Sequence, residues 1–313
     1  MKSLPISIVI PTFNRYNSLK STLDSFLSGD VVPDEIIIVD QSNDGITREL
    51  IQKYINTINN ECCLIKYIEQ AEPSLTAARN IGFKSTRNNL VIMSDDDVEI
   101  HTNTIFNVVS IMNDESISLI AGLNELENKQ KSLAGYFFGF KSFFKRKIGH
   151  IAPGIFGRFP FEIKEQTPTM WAMGFFFVIR KPLVEKWNLQ WDEKLKSYGY
   201  PEDLDFTYLY YKKSMSDRYK CILSSKVVVK HLNSQEYRTP SRQSTFMYVL
   251  HRAYLYKKHH LNYFYWIMFN VSNYAMLLMR KIKKESPQDL KDAIKYLRKN
   301  KKEVFEGKFY YGN

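Results

Sequence analysis

Short, almost wholly apolar runs alternate with amphipathic segments in the first part of the chain, and this alternation restricts the fold more than any other feature. The runs are residues 6–10, 36–40, 64–68, 90–94 and 118–122. The first, second and fourth are rich in β-branched residues, which is typical of strands covered on both faces. The segments between them carry apolar residues at helical spacing. This pattern predicts an α/β fold, with a Rossmann-like, mostly parallel sheet flanked by helices.

The regular alternation ends after residue 122. Residues 124–169 show no clear periodicity, which is typical of a functional or mobile loop. Residues 171–180 and 226–231 predict two further strands. From Ser241 to Asn300 the pattern is helical, with an interruption near Pro287. We therefore predict three segments, which are residues 1–122, residues 123–235 and a C-terminal helical extension over 236–313.

Positive charge is concentrated in the last third of the chain. Residues 206–313 hold 22 Lys/Arg and 7 Asp/Glu, a net charge of +15, and residues 1–205 carry −4, which gives +11 overall. This asymmetry predicts an anionic partner for the C-terminal surface. The basic third shows no recognition helix and no aromatic RNA-binding signature, so nucleic acid is not expected. The three cysteines lack paired spacing, which argues against a disulfide framework and a structural zinc site.

Polar and acidic residues follow three of the predicted strands. They form the segments 11–15 (Pro-Thr-Phe-Asn-Arg), 40–45 (Asp-Gln-Ser-Asn-Asp-Gly) and 95–97 (Asp-Asp-Asp). Ligands of open parallel sheets bind beyond the carboxyl ends of the strands, so we expect these segments to surround one site. Neither Gly-x-Gly-x-x-Gly nor a Gly-Lys-Ser/Thr loop follows the first strand, which disfavours a dinucleotide fold and a P-loop.

The three consecutive aspartates need a cationic partner, because like charges placed side by side repel one another. Side chains alternate in an extended segment, so Asp95 and Asp97 share one direction and Asp96 points away. Two aligned carboxylates suit a hard cation such as Mg²⁺ or Mn²⁺. The alternative is an acidic turn that caps a helix starting near Thr102. The strand directly upstream favours the metal interpretation.

Two further signals come later in the chain. Glu202 and Asp203 follow Pro201 at a predicted helix start, where acidic residues either take part in catalysis or stabilise the positive end of the helix. His231 ends a predicted strand, and a lone histidine there is either structural or a ligand. Neither signal decides a function alone.

In their order along the chain, these pieces resemble the inverting family-2 glycosyltransferases, which have the GT-A fold and use nucleotide sugars. The resemblance covers about residues 5–235 and continues more loosely to about 284. It is carried by residues 10–15, 39–45, 77–82 (Ala-Ala-Arg-Asn-Ile-Gly) and 95–97, by Glu202 with Asp203, and by His231. It implies a nucleotide-sugar-binding half at 1–122 and an acceptor-binding half with the catalytic base at 123–235, followed by the basic, aromatic extension.

The resemblance also implies a role for each matching residue. The nucleotide sugar would be bound by Pro11, Thr12, Asn14, Asp40, Asp44, Arg79, Asp95 and Asp96. Thr12 and Asp40 would hold the base, Arg79 would lie against the nucleotide, and Asp95 would bind the ribose. Asp97 would bind Mn²⁺ or Mg²⁺ at the diphosphate, and His231 would be a second metal ligand or a diphosphate contact. Asp203 would be the general base, with Glu202 shaping the acceptor site.

The implied reaction is a single displacement with inversion. A base must align with the acceptor hydroxyl on the face opposite the leaving diphosphate, where a cation offsets the accumulating charge. The resemblance favours UDP as the carrier, with dTDP and GDP open, and a glycan or polyprenyl-linked oligosaccharide of a surface polysaccharide such as a capsule as the acceptor. Two competing hypotheses are a sugar nucleotidyltransferase, which needs a glycine-rich loop after the first strand, and a non-catalytic protein that binds an anionic polymer.

Residues 263–279 contain no charged residue and lie between basic ones. A membrane-spanning helix needs roughly 20 predominantly apolar residues, and Asn270, Ser272 and Asn273 interrupt this run. A core helix, a helix at a membrane interface and a true span stay open as interpretations. The basic surplus predicts peripheral contact of residues 250–284 with an anionic membrane. Because no signal peptide is visible, we expect a cytoplasmic protein, peripheral on the inner face of the cell membrane.

Overall fold

The computed structural model describes residues 2–57, 62–126 and 147–311. The strands are β1 (Lys2–Thr12), β2 (Val31–Asp40), β3 (Leu64–Glu69), β4 (Leu90–Ser94), β5 (Val98–Ile100), β6 (Ile117–Asn124), β7 (His150–Ala152), β8 (Phe156–Arg158), β9 (Thr167–Pro168), β10 (Phe176–Arg180) and β11 (Lys220–His231). The helices are α1 (Tyr16–Leu27), α2 (Ile46–Thr57), α3 (Leu75–Lys84), α4 (Thr104–Met112), α5 (Lys181–Lys186), α6 (Glu202–Ser216), α7 (Ser241–Lys258), α8 (Tyr263–Ile282), α9 (Gln288–Lys299) and α10 (Lys301–Phe305).

Within these described ranges, nine strands form one sheet in the order β3-β2-β1-β4-β10-β6-β11-β5, with β9 paired to β11. The strands β3, β2, β1 and β4 run parallel. Successive residues of β1 enter different cores, since Ile8 and Ile10 pack on one face of the sheet and Val9 packs on the other. Burial on both faces is the reason that these runs are continuously apolar. The predicted α/β fold class is confirmed.

Two departures from the sequence prediction bring the site together. β10 lies antiparallel between β4 and β6 and begins only at Phe176, so residues 171–175 leave the sheet and line a cleft. β5 is three residues long, too short for periodicity to reveal, and it pairs antiparallel with β11. In that pairing Val98 lies opposite His231. Because Asp97 directly precedes β5, this pairing brings Asp97 next to His231.

A glycine lets α3 lie close against the sheet. A Cβ on Gly82 would come within 2.3 Å of Val9 Cγ1, a separation that real side chains do not show. Ser74 caps the helix, since its hydroxyl accepts a hydrogen bond from the Ala77 amide at 3.4 Å. From this helix Arg79 reaches the cleft.

The region predicted as a long loop is partly regular. β7 and β8 pair antiparallel, and β9 pairs with β11. Residues 127–146 of that region lie outside the described residues. β6 runs across residue 122, and the sheet takes strands from both sides of this predicted boundary. The division into three segments therefore stays a prediction.

The helices α7 to α10 form the C-terminal part and share a separate core. The predicted interruption near Pro287 is confirmed, since it separates α8 from α9. α8 contains the uncharged run, and its buried side chains are Phe269, Ser272 and Asn273. Within the described ranges, no helix has the length and apolar character needed to cross a membrane.

Candidate active site

A cleft of about 690 Å³ opens where β1 and β4 end and α6 begins. Nine of the predicted site residues line it, namely Pro11, Thr12, Arg79, Asp95, Asp96, Asp97, Glu202, Asp203 and His231. The position agrees with the rule that ligands bind beyond the carboxyl ends of parallel strands. Residues that follow the predicted strands and residues that begin the predicted helix thus lie together in the structure.

Asp96 ties the end of β1 to the end of β4. Its carboxylate accepts a hydrogen bond from Thr12 Oγ1 at 2.7 Å, and Arg15 Nη1 lies 3.0 Å from its other oxygen. Burial raises the pKa of Asp96 to about 7, although the Arg15 charge acts in the opposite direction. The alternation expected of an extended segment does not hold here, because Asp96 lies in the turn between β4 and β5, where it shares Arg15 with Asp97 and braces the wall of the cleft.

Asp95, Asp97 and His231 form a cluster in which one potential ligand atom from each lies within 4.8 Å of the others. His231 Nε2 lies 3.1 Å from Asp97 Oδ1, and the imidazole stacks on Phe175 with ring centroids 5.0 Å apart. Burial disfavours the charged form of Asp97, but His231, the Ser234 amide and Arg15 together outweigh burial, so the pKa of Asp97 is lowered. Two carboxylates and one imidazole form a donor set that fits Mn²⁺ or Mg²⁺.

Arg79 lies between the two acidic groups of the cleft. Its Nη2 is 3.0 Å from Asp95 Oδ1 and 3.2 Å from Glu202 Oε1, and it donates a hydrogen bond to the Gly174 carbonyl at 3.1 Å. The side chain is only 1% exposed. Its Nε and Nη1 have no hydrogen-bond acceptor among the described residues. A buried guanidinium with unused donors suits an anionic ligand.

Glu202 and Asp203 occupy the first turn of α6, on the other side of Arg79. Asp203 accepts hydrogen bonds from the Gly174 amide at 2.9 Å and from its neighbour Leu204 at 2.7 Å. Burial raises the pKa of Glu202 to about 8 and also raises the pKa of Asp203. A Cβ on Gly174 would lie 2.9 Å from Arg79 Nη2 and 3.2 Å from Asp203 Cβ, so a glycine allows the three groups to meet.

Three predicted residues do not line the cleft. Asp40 is buried and accepts hydrogen bonds from Tyr67 Oη at 2.7 Å and the Ser42 amide at 2.9 Å. Asp44 accepts from the Ile46 amide at 3.0 Å, where α2 begins. Asn14 is exposed, with a φ of 54°. These residues shape the loops beside the cleft in this structure.

Sequence reasoning assigned no role to several residues that line the cleft. Arg15 is the cation beside Asp96 and Asp97, and it could have been found from the charge balance that three aspartates require. The segment after β11 closes one side, since Tyr237 packs edge-on against Phe13 with centroids 4.8 Å apart. Glu236 anchors that segment by accepting hydrogen bonds at the start of α1. No local pattern in the sequence marks these last contacts.

Residues 7–186 match the family model described as Glycosyl transferase family 2, which is more than half of the chain. The chain belongs to this family. Among curated proteins it is similar to the poly(ribitol-phosphate) beta-N-acetylglucosaminyltransferase TarP of Staphylococcus aureus (strain N315), with 27% identity over 132 residues, 41% of this chain and 39% of TarP. It is also 31% identical to the chondroitin synthase of Escherichia coli over 96 residues, 30% of this chain and 13% of that protein. The chain thus spans well under half the length of these two relatives.

Solved structures of other glycosyltransferases share the fold. The mannosyltransferase PcManGT from Pyrobaculum calidifontis, in complex with GDP-Man and Mn²⁺, superposes with a TM-score of 0.54 at 16% identity, covering 95% of this chain and 75% of that one. S. aureus TarS 1–349 in complex with UDP-GlcNAc gives 0.53 at 17% identity, covering 82% and 66%. The predicted GT-A-like architecture and the resemblance to family 2 are both confirmed.

Proposed function

We propose that this family-2 protein is an inverting, metal-dependent glycosyltransferase that moves a sugar from a nucleotide diphosphate, UDP in the first instance, to a glycan or a polyprenyl-linked oligosaccharide. The observation that carries the proposal is the arrangement of two acidic groups on opposite sides of Arg79 in one cleft. Asp95, Asp97 and His231 lie on one side, and Glu202 and Asp203 lie on the other. Displacement with inversion requires a leaving-group site and a base on opposite faces of the sugar.

The donor nucleotide would bind along the ends of β1 and β4. Thr12 and Asp40 are proposed to hold the base, with Pro11, Asn14 and Asp44 forming the surrounding loops. Asp95 would bind the ribose. The free Nε and Nη1 donors of Arg79 support its assignment to the nucleotide, because they need an acceptor that the described residues do not provide. Asp96 would hold Thr12 and Arg15 in place.

Asp97 and His231, with Asp95 beside them, would hold Mn²⁺ or Mg²⁺ next to the diphosphate. Such an ion offsets the negative charge that accumulates on a leaving diphosphate. The donor set of the cluster supports this assignment, as does the 3.1 Å separation of His231 Nε2 from Asp97 Oδ1, which puts both groups within reach of one ion.

Asp203 is the proposed general base. Its raised pKa supports the role, because a base works best when its pKa approaches the operating pH. The amides of Gly174 and Leu204 fix the carboxylate in one orientation. Glu202, paired with Arg79, would position the acceptor sugar. As the proton of the acceptor hydroxyl passes to Asp203, the hydroxyl oxygen would attack the anomeric carbon, and the bond from that carbon to the nucleoside diphosphate would break, releasing the diphosphate.

The acceptor would occupy the part of the cleft lined by aromatic side chains, which include Trp171, Tyr198 and Tyr200. Flat apolar rings with a polar edge suit sugar rings. TarP and chondroitin synthase act on polymers, according to their names, and this supports a surface polysaccharide such as a capsule as the product. We place the reaction in the cytoplasm, at the inner face of the cell membrane.

A thermal-shift panel tests the donor site. UDP, dTDP, GDP and CMP are each added with and without Mn²⁺ to the wild type, to Asp97→Asn and to Asp30→Asn. A ligand at a hundred times its dissociation constant stabilises a fold by about 2.7 kcal/mol. We expect a Mn²⁺-dependent shift for one nucleoside diphosphate, which Asp97→Asn removes. Asp30 is exposed and precedes β2, at the opposite edge of the sheet, so Asp30→Asn keeps the shift. A cooperative melt with no shift for any nucleotide would favour the non-catalytic, polymer-binding hypothesis.

A further inference from the structure

The helix α8 is apolar on its outer face as well as its inner one. Its inner face buries Phe269 together with the polar Ser272 and Asn273, and the Asn273 side chain accepts a hydrogen bond from the buried Arg252 at 2.6 Å. Its outer face is apolar. The large apolar side chains that α8 exposes are Tyr263, Phe264, Ile267, Val271, Tyr274, Leu278, Met279 and Ile282. A helix of a globular protein normally carries charged and polar side chains on its outer face.

The exposed side chains form a continuous stripe. At 100° per residue, all of them except Met279 fall within a sector of about 100°. The helix has 20 residues and is therefore about 30 Å long. Eight of the 15 large apolar side chains exposed in the described chain belong to it, and Ile282 and Tyr263 are 72% and 70% exposed. A patch of this size marks an interaction surface.

The charges around the stripe identify its partner. From residue 237 to residue 284 the chain has nine Lys/Arg and no Asp or Glu. Arg280, Lys281, Lys283 and Lys284 follow or end the helix, and Lys301 lies 4.5 Å from the ring of Trp266 near its start. Two copies of this face would bring basic residues together in either orientation, which opposes self-association. An anionic surface meets all of these charges favourably.

We propose that the outer face of α8 binds the surface of an anionic lipid bilayer, with the helix lying in the plane of the membrane. Apolar and aromatic side chains enter the boundary of the acyl region while lysines reach the headgroups, as in interfacial helices. The inference is independent of the proposed glycosyl transfer.

Membrane binding by α8 would have one structural consequence, because the inner face of α8 contacts the segment before β8. Arg252, which binds Asn273, also donates a hydrogen bond to the Gly154 carbonyl at 2.8 Å. Only this segment would therefore separate the membrane-bound helix from Phe156 and Arg158, which line the cleft.

Vesicle sedimentation of the full chain tests the proposal, with vesicles of phosphatidylcholine alone and of phosphatidylcholine mixed with phosphatidylglycerol. We expect strong binding only to the mixed vesicles. The variant Ile267→Gln/Leu278→Gln/Ile282→Gln should bind at least about tenfold more weakly. Its matched control is Ile46→Gln/Phe106→Gln/Met215→Gln, which removes three equally exposed apolar side chains from other helices and should bind like the wild type.

A second variant covers the case in which the triple substitution disturbs folding, which circular dichroism reports. Lys281→Gln/Lys284→Gln changes only exposed side chains and should weaken binding to the mixed vesicles by about thirtyfold. Lys53→Gln/Lys84→Gln, two exposed lysines of α2 and α3, is its control. The proposal would be overturned if each control variant weakened vesicle binding as much as the variant to which it is matched. It would also be overturned if the wild type did not bind the mixed vesicles. A third contrary result would be a wild-type dimer, detected by analytical ultracentrifugation, that the triple variant does not form.

Discussion

The two acidic groups of the cleft both contain carboxylates but are stabilised differently. On the donor side, Asp97 lies beside His231 and within 3.6 Å of Arg15, and its pKa is lowered. On the acceptor side, Glu202 and Asp203 are buried, and backbone amides donate hydrogen bonds to the carboxylate of Asp203. These residues share the cation Arg79 with the donor side. Their pKa values are raised.

This difference separates two chemical tasks. A carboxylate that stays charged at every ordinary pH can hold a cation, whereas one whose charge is disfavoured can take a proton near neutrality. Asp96 lies on the donor side yet has a pKa of about 7, because burial disfavours its charged form more than Arg15 and the Thr12 hydroxyl favour it. The distinction therefore follows the surroundings of each carboxylate and not its position in the sequence.

The largest expected effect comes from the acceptor side. Asp203→Asn keeps the shape of the side chain but removes its ability to accept a proton, so turnover should fall by about 10³-fold. Donor binding, measured by the Mn²⁺-dependent thermal shift, should stay unchanged. Asp217→Asn, at the other end of the same helix and exposed, is the control for folding and should keep full activity. An Asp203→Asn enzyme with normal turnover would assign the base to another residue.

The next effect concerns the group that joins the two sides. Arg79→Met leaves Glu202 and Asp95 without their shared cation, and breaking a buried ion pair from one side costs about 3 kcal/mol of unfolding free energy. Chemical denaturation measures the loss. Arg87→Met provides the contrast, since Arg87 pairs with Asp34 at the surface and its loss should change stability little. Equal stability of the two variants would show that Arg79 does not neutralise the acceptor side.

The donor side could be predicted from the sequence because its residues are local to strand ends. Each of the segments 11–15 and 95–97 follows a strand whose apolar run is readable, and the parallel sheet brings such ends together without further information. Asp44 shows the limit of this reasoning, since a strand-end carboxylate also serves a helix start and does not line the cleft here.

The contacts between the two sides depend on residues far apart in the chain. Arg79 and Glu202 are 123 positions apart, and their meeting requires the antiparallel insertion of β10 and the turn at Gly174. β5 is too short for periodicity, yet it carries Asp97 to His231. For α8 the sequence left a core helix and an interfacial helix open, because the partners of its buried polar residues are not local. Asn273 accepts a hydrogen bond from Arg252 on a neighbouring helix.

The smallest effect is a difference in how the two sides respond to pH. The pKa of Glu202 is about 8 in the fold against 4.5 for the ordinary side chain, so the folded state binds this proton more tightly than the unfolded state. The contribution of Glu202 to stability should therefore increase as the pH falls from 8 towards 4.5, whereas Asp97, with a lowered pKa, loses its contribution as the pH falls through the range where aspartates protonate.

Melting curves of the wild type and Glu202→Gln between these pH values isolate the acceptor side. The melting temperature of the wild type should rise relative to that of Glu202→Gln as the pH falls, by a few degrees, about 4. Glu49→Gln, an exposed carboxylate on α2, should follow the wild type. Turnover should instead decrease as the pH falls, because protonation of Asp203 removes the base. Turnover and stability should therefore change in opposite directions over the same pH range. If stability and turnover fell together, the acceptor carboxylates would be charged in the resting fold, and the contrast between the two sides would disappear.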